Sequence, residues 1–313
     1  MRPLKFHPIL KQTLWGGERI IPYKELASGL SRVGESWELS GMPGSESVVA
    51  EGPWAGSTLS ELIGRFGAEL LGKANYARFG QEFPLLVKFI DAREDLSIQV
   101  HPDDELARKR HGKSGKCEMW YVLEAEPGAS LLTGFSRPIA PAEYERRVAD
   151  NTLTDVLNRQ AIASGDVFYL PAGRVHSIGK GSFIVEIQQS SDITYRIYDF
   201  DRRDAAGNSR ELHTELAREA IDFESSENSR ITYAPENNQE VRLVTTPYFT
   251  TSLYTLTART RCDWSATDSF VAIVLLQGSG SLTDNEGNRI DVRQGETWLL
   301  PASTQWTEIT PHT

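Results

Sequence analysis

Short apolar runs alternate with turn residues over most of the chain. Residues 84–90, 96–100 and 119–123 are apolar runs of strand length, which predicts buried strands. After residue 157, many short strand-like segments punctuated by glycine and proline continue to the C-terminus. This pattern is typical of β-sandwiches and barrels, so we predict a mainly β fold.

Two stretches carry helical periodicity instead. Between residues 58 and 78 apolar side chains recur at helical spacing, and Ser57 or Thr58 can cap the first turn. Residues 142–157 form a second helical patch, and we expect its inner face to consist of Tyr144, Val148, Leu153, Val156 and Leu157. Short helical insertions are therefore expected in the β fold.

One segment recurs later in the chain. Residues 164–172 (SGDVFYLPA) match residues 294–302 (QGETWLLPA), and both copies read as turn, strand and proline. A jelly-roll barrel uses such a piece where a turn feeds a strand that ends at the barrel mouth. The same offset pairs His176 with Trp306. We predict two β units, residues 1–235 with the helical insertions and residues 236–313 as a degenerate copy, connected by the Ser, Asn and Glu-rich residues 224–240.

Composition is that of a folded protein with an acidic surface. A chain of 313 residues is long enough for two packed units, and its 39% hydrophobic and 24% charged residues are ordinary for a globular protein. The formal charge of −10 disfavours nucleic acid and anionic membranes as partners, because both attract basic surfaces. An anionic substrate therefore needs a local basic pocket.

Targeting signals and a disulfide framework are not evident. The longest strictly apolar run, residues 270–276, is far shorter than the roughly 20 residues of a membrane span. The N-terminal residues lack the apolar core of a secretory signal. Because Cys117 and Cys262 are the only cysteines, we expect a cytoplasmic protein.

Four residues form a candidate metal site. Gln99 and His101 are two positions apart, so an extended strand directs both side chains to one face. Glu118 precedes the next strand-like run, and His176 follows a Pro-Ala-Gly turn. Two imidazoles with a carboxylate and an amide oxygen suit zinc or another divalent first-row metal. Each residue alone is more often structural, and the combination is what favours a metal.

Four sequence strings resemble type I phosphomannose isomerase in its short bacterial form. They are PLLVKFIDAREDLSIQVHPDD (84–104), KCEMWYVL (116–123), GDVFYLPAGRVHSIG (165–179) and SSDITYRIYDFDR (190–202). They occur in the order and spacing of the family, and the likeness covers nearly the whole chain from residue 14. The resemblance implies two cupin-type jelly-roll barrels and the interconversion of mannose 6-phosphate and fructose 6-phosphate.

Site residues follow from the same resemblance. It implies one Zn²⁺ per chain, bound by Gln99, His101, Glu118 and His176. The internal repeat leaves the second unit without a metal site, because Trp306 stands at the position that pairs with His176. The resemblance also implies catalytic roles for Arg196, Lys116 and Asp192, and it places Lys88 at the phosphate or a sugar hydroxyl. Without the resemblance, the lysines would be assigned to the surface and Arg196 to a solvated charge run.

Some chemistry stays open at this level. Longer family members carry His-Lys-Pro-Glu where this chain has Gly115-Lys116-Cys117-Glu118, so one candidate acid–base histidine is missing. A lysine with a lowered pKa, a carboxylate such as Asp192 or a metal-bound hydroxide can each serve as the base. Two other functions are compatible with the fold, a cupin metal-dependent dioxygenase and a non-catalytic sugar-phosphate-binding protein.

Overall fold

The computed structural model describes residues 1–224 and 228–312, and strands dominate it. The mainly β prediction is therefore confirmed. The strands are β1 (Leu4–Lys5), β2 (Ile9–Gly17), β3 (Val33–Met42), β4 (Ser45–Glu46), β5 (Leu85–Ala92), β6 (Ile98–Val100), β7 (Glu118–Ala125), β8 (Ser130–Phe135), β9 (Leu157–Ala161), β10 (Val167–Leu170), β11 (His176–Ile178), β12 (Ser182–Gln189), β13 (Tyr195–Tyr198), β14 (Arg230–Ile231), β15 (Val241–Thr245), β16 (Thr250–Leu253), β17 (Thr260–Asp263), β18 (Val271–Val274), β19 (Ser279–Asp284), β20 (Arg289–Arg293), β21 (Thr297–Leu300) and β22 (Trp306–Pro311).

Helices are short, and both stretches of helical periodicity form them. The helices are α1 (Ile20–Tyr23), α2 (Leu59–Phe66), α3 (Ala68–Leu71), α4 (Lys73–Phe79), α5 (Asp104–His111), α6 (Pro141–Ala149) and α7 (Thr214–Ala220), with a 3₁₀ helix at Leu153–Val156. Thr58 caps α2 in a reciprocal capping box with Glu61. The second helical patch divides into α6 and the 3₁₀ helix, and all its predicted inner residues contact one core cluster. No helix in the described ranges is long and apolar enough to cross a membrane.

Two large sheets pack face to face and build the first unit. The eight-stranded sheet has the order β14-β10-β7-β12-β5-β2-β3-β4, and the five-stranded sheet has the order β13-β6-β11-β8-β9. A shared core joins them, with Trp120 and Ile184 from the larger sheet and Leu131 and Ile178 from the smaller one. Within the described ranges no sheet closes into a barrel, so the two-barrel detail stays a prediction.

The sequence repeat corresponds to a structural repeat. The matching segments form β10 and β21, and each strand follows a glycine with positive φ, 90° at Gly165 and 78° at Gly295. His176 opens β11 and Trp306 opens β22 at equivalent points. Of the predicted connection at 224–240, residues 225–227 lie outside the described ranges. The division at residue 235 stays a prediction, and β1 pairs with β21 across it.

The helical insertion contacts the second unit at one crowded glycine. Gly72 connects α3 to α4 with φ 90° and ψ 154°, a conformation that essentially only glycine adopts. A Cβ atom at this position would overlap the backbone carbonyl of Asp268. The Asp268 carboxylate accepts hydrogen bonds from the backbone N–H groups of Lys73 (2.7 Å) and Ala74 (3.0 Å). The close approach therefore fixes where α4 begins.

We predict that Gly72→Ala destabilises the fold by about 2–5 kcal/mol, because backbone strain and overlap with the Asp268 carbonyl add. Gly56→Ala is the matched control. Gly56 also has positive φ, but nothing lies within 4 Å of the position that a methyl group would take there, so only the strain of about 1–2 kcal/mol applies. Urea unfolding of both variants measures the difference, and equal losses would contradict the close-approach argument.

Candidate metal centre and active site

Three predicted ligands meet between the two large sheets. His101 follows β6, Glu118 opens β7 and His176 opens β11, and their ligand atoms all lie within 4.8 Å of one another. All three side chains are buried. Gln99 joins them, since its Nε2 atom is 3.3 Å from His176 Nε2 and the two residues are paired across β6 and β11. The structure thus brings all four predicted ligands together.

Backbone carbonyls fix both imidazoles in one tautomer. His101 Nδ1 lies 2.7 Å from the Ile193 carbonyl oxygen, and His176 Nδ1 lies 2.8 Å from that of Arg174. Each Nδ1–H therefore donates to the backbone, which leaves the Nε2 lone pair directed at the cluster. Burial lowers the pKa of both histidines, to about 4 for His176. Both rings are therefore neutral at physiological pH, as metal ligands must be.

The Glu118 carboxylate is the residue that most needs a cation. Its oxygens lie 3.2 Å from His176 Nε2 and 3.6 Å from His101 Nε2, and Lys116 Nζ is 2.7 Å away as an ion pair. Neither oxygen accepts a hydrogen bond of acceptable geometry within the described residues, although both are buried. Burial raises the pKa of Glu118 to about 7 despite the opposing charge of Lys116. The four predicted ligands therefore fit a divalent metal ion.

Cross-strand register explains how distant residues converge. Residues directly opposite on paired strands share a face of the sheet, and two such rows meet at the site. The five-stranded sheet contributes a row of Arg196, Gln99, His176 and Thr133. The eight-stranded sheet contributes a row of Trp120, Glu186, Lys88 and Trp37, with Glu118 and Gln188 paired beside it. The site is therefore built across the interface of the two sheets.

Lys88 belongs to a buried ion pair that the sequence did not reveal. Its Nζ atom lies 2.9 Å from Glu186 and 3.8 Å from Glu35. Glu186 also accepts a hydrogen bond from Trp120 Nε1 (3.1 Å), and that indole packs against the His176 ring at nearly a right angle, with ring centroids 5.4 Å apart. Burial favours the neutral amine, but the two carboxylates outweigh it and raise the pKa of Lys88. Lys88 is thus a charged residue of the interior.

Glu186 is the site residue that sequence reasoning missed. It lies in the middle of β12, SFIVEIQQ, where almost every side chain is buried. Glu186 shares the parity of Gln188, which is paired with the predicted ligand Glu118. The single acidic residue of this buried strand could have indicated a site residue in the sequence, because a charged side chain is rarely buried without a partner.

Arg196 lies beside the predicted ligands, whereas Asp192 does not. Arg196 is paired with Gln99 across β13 and β6, and its guanidinium donates to the Glu211 carbonyl oxygen at 2.9 Å. Its Nε atom is buried and has no hydrogen bond within the described residues. Asp192 is 49% exposed and pairs with Lys113 at 3.0 Å. Asp192 and Arg196 do not share a strand, because β13 begins only at Tyr195. The role of Asp192 stays a prediction.

Comparison with known proteins decides the family. Residues 4–132 match the model of the type I phosphomannose isomerase catalytic domain. The mannose-6-phosphate isomerase ManA of Bacillus subtilis is 34% identical over 303 residues, covering 96% of this chain and 93% of that protein. The chain belongs to the type I phosphomannose isomerase family. Membership makes it an isomerase, as the four sequence strings predicted.

Two further similarities agree with this family assignment. The mannose-6-phosphate isomerase of Streptococcus mutans is 33% identical over 302 residues, covering 96% of this chain and 92% of that protein. The crystal structure of the mannose 6-phosphate isomerase from Bacillus subtilis superposes with a TM-score of 0.90 at 30% identity, covering 99% of this chain and 97% of that one. The phosphomannose isomerase fold therefore extends over both predicted units.

We predict that this isomerase binds one divalent ion per chain and that His101→Ala/His176→Ala abolishes the binding, because both imidazoles point into one cluster. Elemental analysis of the purified protein measures the metal content per chain. The exposed residues His7 and His312 supply a matched control, since His7→Ala/His312→Ala also removes two imidazoles but should keep the metal. Full metal content in the first double variant, or two tightly bound ions in the native chain, would contradict the site.

We also predict that metal affinity falls as pH decreases through about 7, by about tenfold per unit below that value. Glu118 must be ionised to bind, and its raised pKa makes it protonated below pH 7, whereas the histidines stay neutral there. Calorimetric titration with zinc in buffers of different ionisation enthalpy should show release of about one proton at pH 6. Glu118→Gln should bind zinc weakly and without this proton release. Proton release that persists in the variant would show that another group loses the proton.

Proposed function

We propose that the chain interconverts mannose 6-phosphate and fructose 6-phosphate in a zinc-dependent reaction. The observation that carries the proposal is the buried cluster of His101, Glu118 and His176, in a chain that resembles mannose-6-phosphate isomerases over 96% of its length. Neutral imidazoles with inward lone pairs and a buried carboxylate are a donor set that zinc uses in catalytic sites. One Zn²⁺ per chain is proposed, with Gln99 as the fourth ligand.

The reaction moves a proton between neighbouring sugar carbons through an enediol. The ring opens, the proton on C2 leaves, and a proton returns to C1, while negative charge develops on the sugar oxygens. The bound ion supplies a Lewis acid that stabilises this charge. Lys116 lies 2.7 Å from Glu118 and 3.1 Å from His101, so its ammonium can donate to a sugar oxygen at the same place. Arg196 contributes a second preorganised cation.

Substrate recognition requires local cations on an acidic protein. Arg196 has a buried Nε–H with no hydrogen bond within the described residues, and a ligand oxygen would satisfy it. Lys88 already pairs with Glu186 at 2.9 Å. Because a phosphate at Lys88 would also face two carboxylates, we assign Lys88 to a sugar hydroxyl. A hydroxyl can accept from the ammonium without displacing the carboxylate.

Fold, cellular location and partner complete the proposal. We assign the paired sheets to a cupin-type jelly roll and keep the second unit, residues 236–313, as a copy without a metal site, since Trp306 replaces the histidine. Cys117 and Cys262 are both buried and free, which agrees with a cytoplasmic protein. The expected partner is the sugar phosphate.

A direct assay tests the function. Purified metal-loaded protein is incubated with mannose 6-phosphate, and fructose 6-phosphate is measured before chelation, after chelation and after zinc is restored. Zinc-dependent formation of fructose 6-phosphate supports the proposal. Oxygen consumption without isomerisation would instead show a dioxygenase, and saturable binding of mannose 6-phosphate without turnover would show a binding protein.

We predict that Arg196→Ala lowers turnover by about 10²–10³-fold while metal content and fold are retained, because one preorganised donor to a developing negative charge is lost. Arg196→Lys should recover only part of the activity, since an ammonium cannot make two parallel hydrogen bonds. Steady-state kinetics, elemental analysis and thermal melting of the same preparations measure this.

Arg203→Ala is the matched control for Arg196→Ala. Arg203 is an exposed guanidinium nearby that donates to the Gly207 carbonyl oxygen. Its removal should leave turnover unchanged. Normal turnover in Arg196→Ala would exclude a catalytic role, and a rise in KM alone would make Arg196 a substrate-binding residue.

A further inference from the structure

Arg196 is contacted by a segment that belongs to neither large sheet. Residues 211–213 run beside β13 and contact Arg196 at three points. The guanidinium donates to the Glu211 carbonyl oxygen at 2.9 Å, and the Arg196 carbonyl oxygen accepts from the His213 backbone N–H at 2.7 Å. The third contact uses a side chain, because the Arg196 backbone N–H donates to His213 Nδ1 at 3.2 Å.

The third contact requires one particular form of the imidazole. A nitrogen accepts a hydrogen bond only when it carries no proton, so His213 must be neutral with its proton on Nε2. If Nδ1 were protonated, two N–H groups would face each other at 3.2 Å. Arg196 is paired with Gln99 across β13 and β6, so a displacement of its backbone moves the guanidinium relative to the predicted metal ligands.

We infer that His213 is a positioning residue for Arg196, holding β13 in register through an unprotonated Nδ1. The effect expected on turnover rests on the proposed function. The contacts between His213 and Arg196 do not depend on that function. His213 acts through the Arg196 backbone and lies outside the cluster of His101, Glu118 and His176.

The surroundings of His213 contain charges of both signs. It is 24% exposed, and its Nε2 atom lies 3.9 Å from the Glu211 carboxylate, which is itself 84% exposed. The Tyr195 ring of β13 lies 6.4 Å from the His213 ring, and the Tyr195 hydroxyl is in turn contacted by Arg110 and His111 of α5. Glu215 lies in the first turn of α7, which begins directly after His213. Solvent can therefore reach this imidazole.

Two conservative variants separate this role from a general structural one. In His213→Asn the side-chain oxygen lies close to the position of Nδ1, accepts a hydrogen bond and cannot be protonated. In His213→Gln the oxygen reaches the position of Nε2 instead, so the Arg196 amide loses its acceptor. His7→Asn, at an exposed histidine away from the site, controls for the loss of one imidazole.

Turnover at pH 7.5 is the first measurement, made on zinc-loaded protein with metal content and thermal melting recorded in parallel. We expect His213→Gln to lower kcat by about three- to tenfold with KM and metal content retained, as for the loss of one hydrogen bond. His213→Asn should recover to within about twofold of the native rate. Equal turnover in the two variants would overturn the inference.

Hydrogen exchange of the Arg196 amide is the second measurement, and it does not depend on turnover. In the native protein, protection of this amide, corrected for intrinsic exchange, should decrease between pH 7.5 and 5.5. In His213→Asn it should stay constant, and in His7→Asn it should follow the native course. Constant protection in the native protein, or the same decrease in His213→Asn, would overturn the inference even if the protein proved not to isomerise mannose 6-phosphate.

Discussion

The site depends on the cost of burying an ionised carboxylate between two sheets. An isolated carboxylate loses several kcal/mol of hydration free energy in such a place even after the protein relaxes. At Glu186 the lost hydration is compensated by Lys116, Lys88 and Trp120. Together they lower the pKa of Glu186, although burial acts in the opposite direction. Glu118 has Lys116 at 2.7 Å, but burial still raises its pKa. The two carboxylates therefore differ, since the protein alone stabilises the charged form of Glu186, whereas a metal ion would supply the further positive charge that favours the charged form of Glu118.

Strand register is what turns this electrostatic requirement into a defined geometry. Side chains alternate faces along a strand, so a shift of one residue in β6 would direct Ile98 and Val100 into the site and remove Gln99 from it. The apolar core opposes such a shift, because Ile98 and Val100 are both fully buried in the cluster on the other face of the smaller sheet. The hydrophobic pattern of short strands thus determines the position of polar ligands that contribute little to the core themselves.

Local features of the site were accessible from the sequence, and long-range ones were not. The parity of Gln99 and His101 and the turn before His176 are properties of a few adjacent residues, and the predicted ligands do lie together. The pairing of Lys88 with Glu186 depends on the register of β5 against β12, which no short string encodes. Asp192 is a related case: its spacing of four residues from Arg196 would place both side chains on one face only within a strand, and β13 begins only at Tyr195.

The electrostatics of Lys88 also restrict its chemistry. A lysine removes a proton from carbon only as the neutral amine, so a base needs a lowered pKa. Burial would provide this, but Glu186 at 2.9 Å and Glu35 at 3.8 Å reverse the effect and raise the pKa of Lys88. The amine therefore stays protonated. Removing one partner from such a buried pair costs about 3–5 kcal/mol, more than one hydrogen bond to a substrate returns. Lys88 is thus suited to donate a hydrogen bond to a sugar oxygen while Glu186 stays in place, and it is a poor candidate for the base.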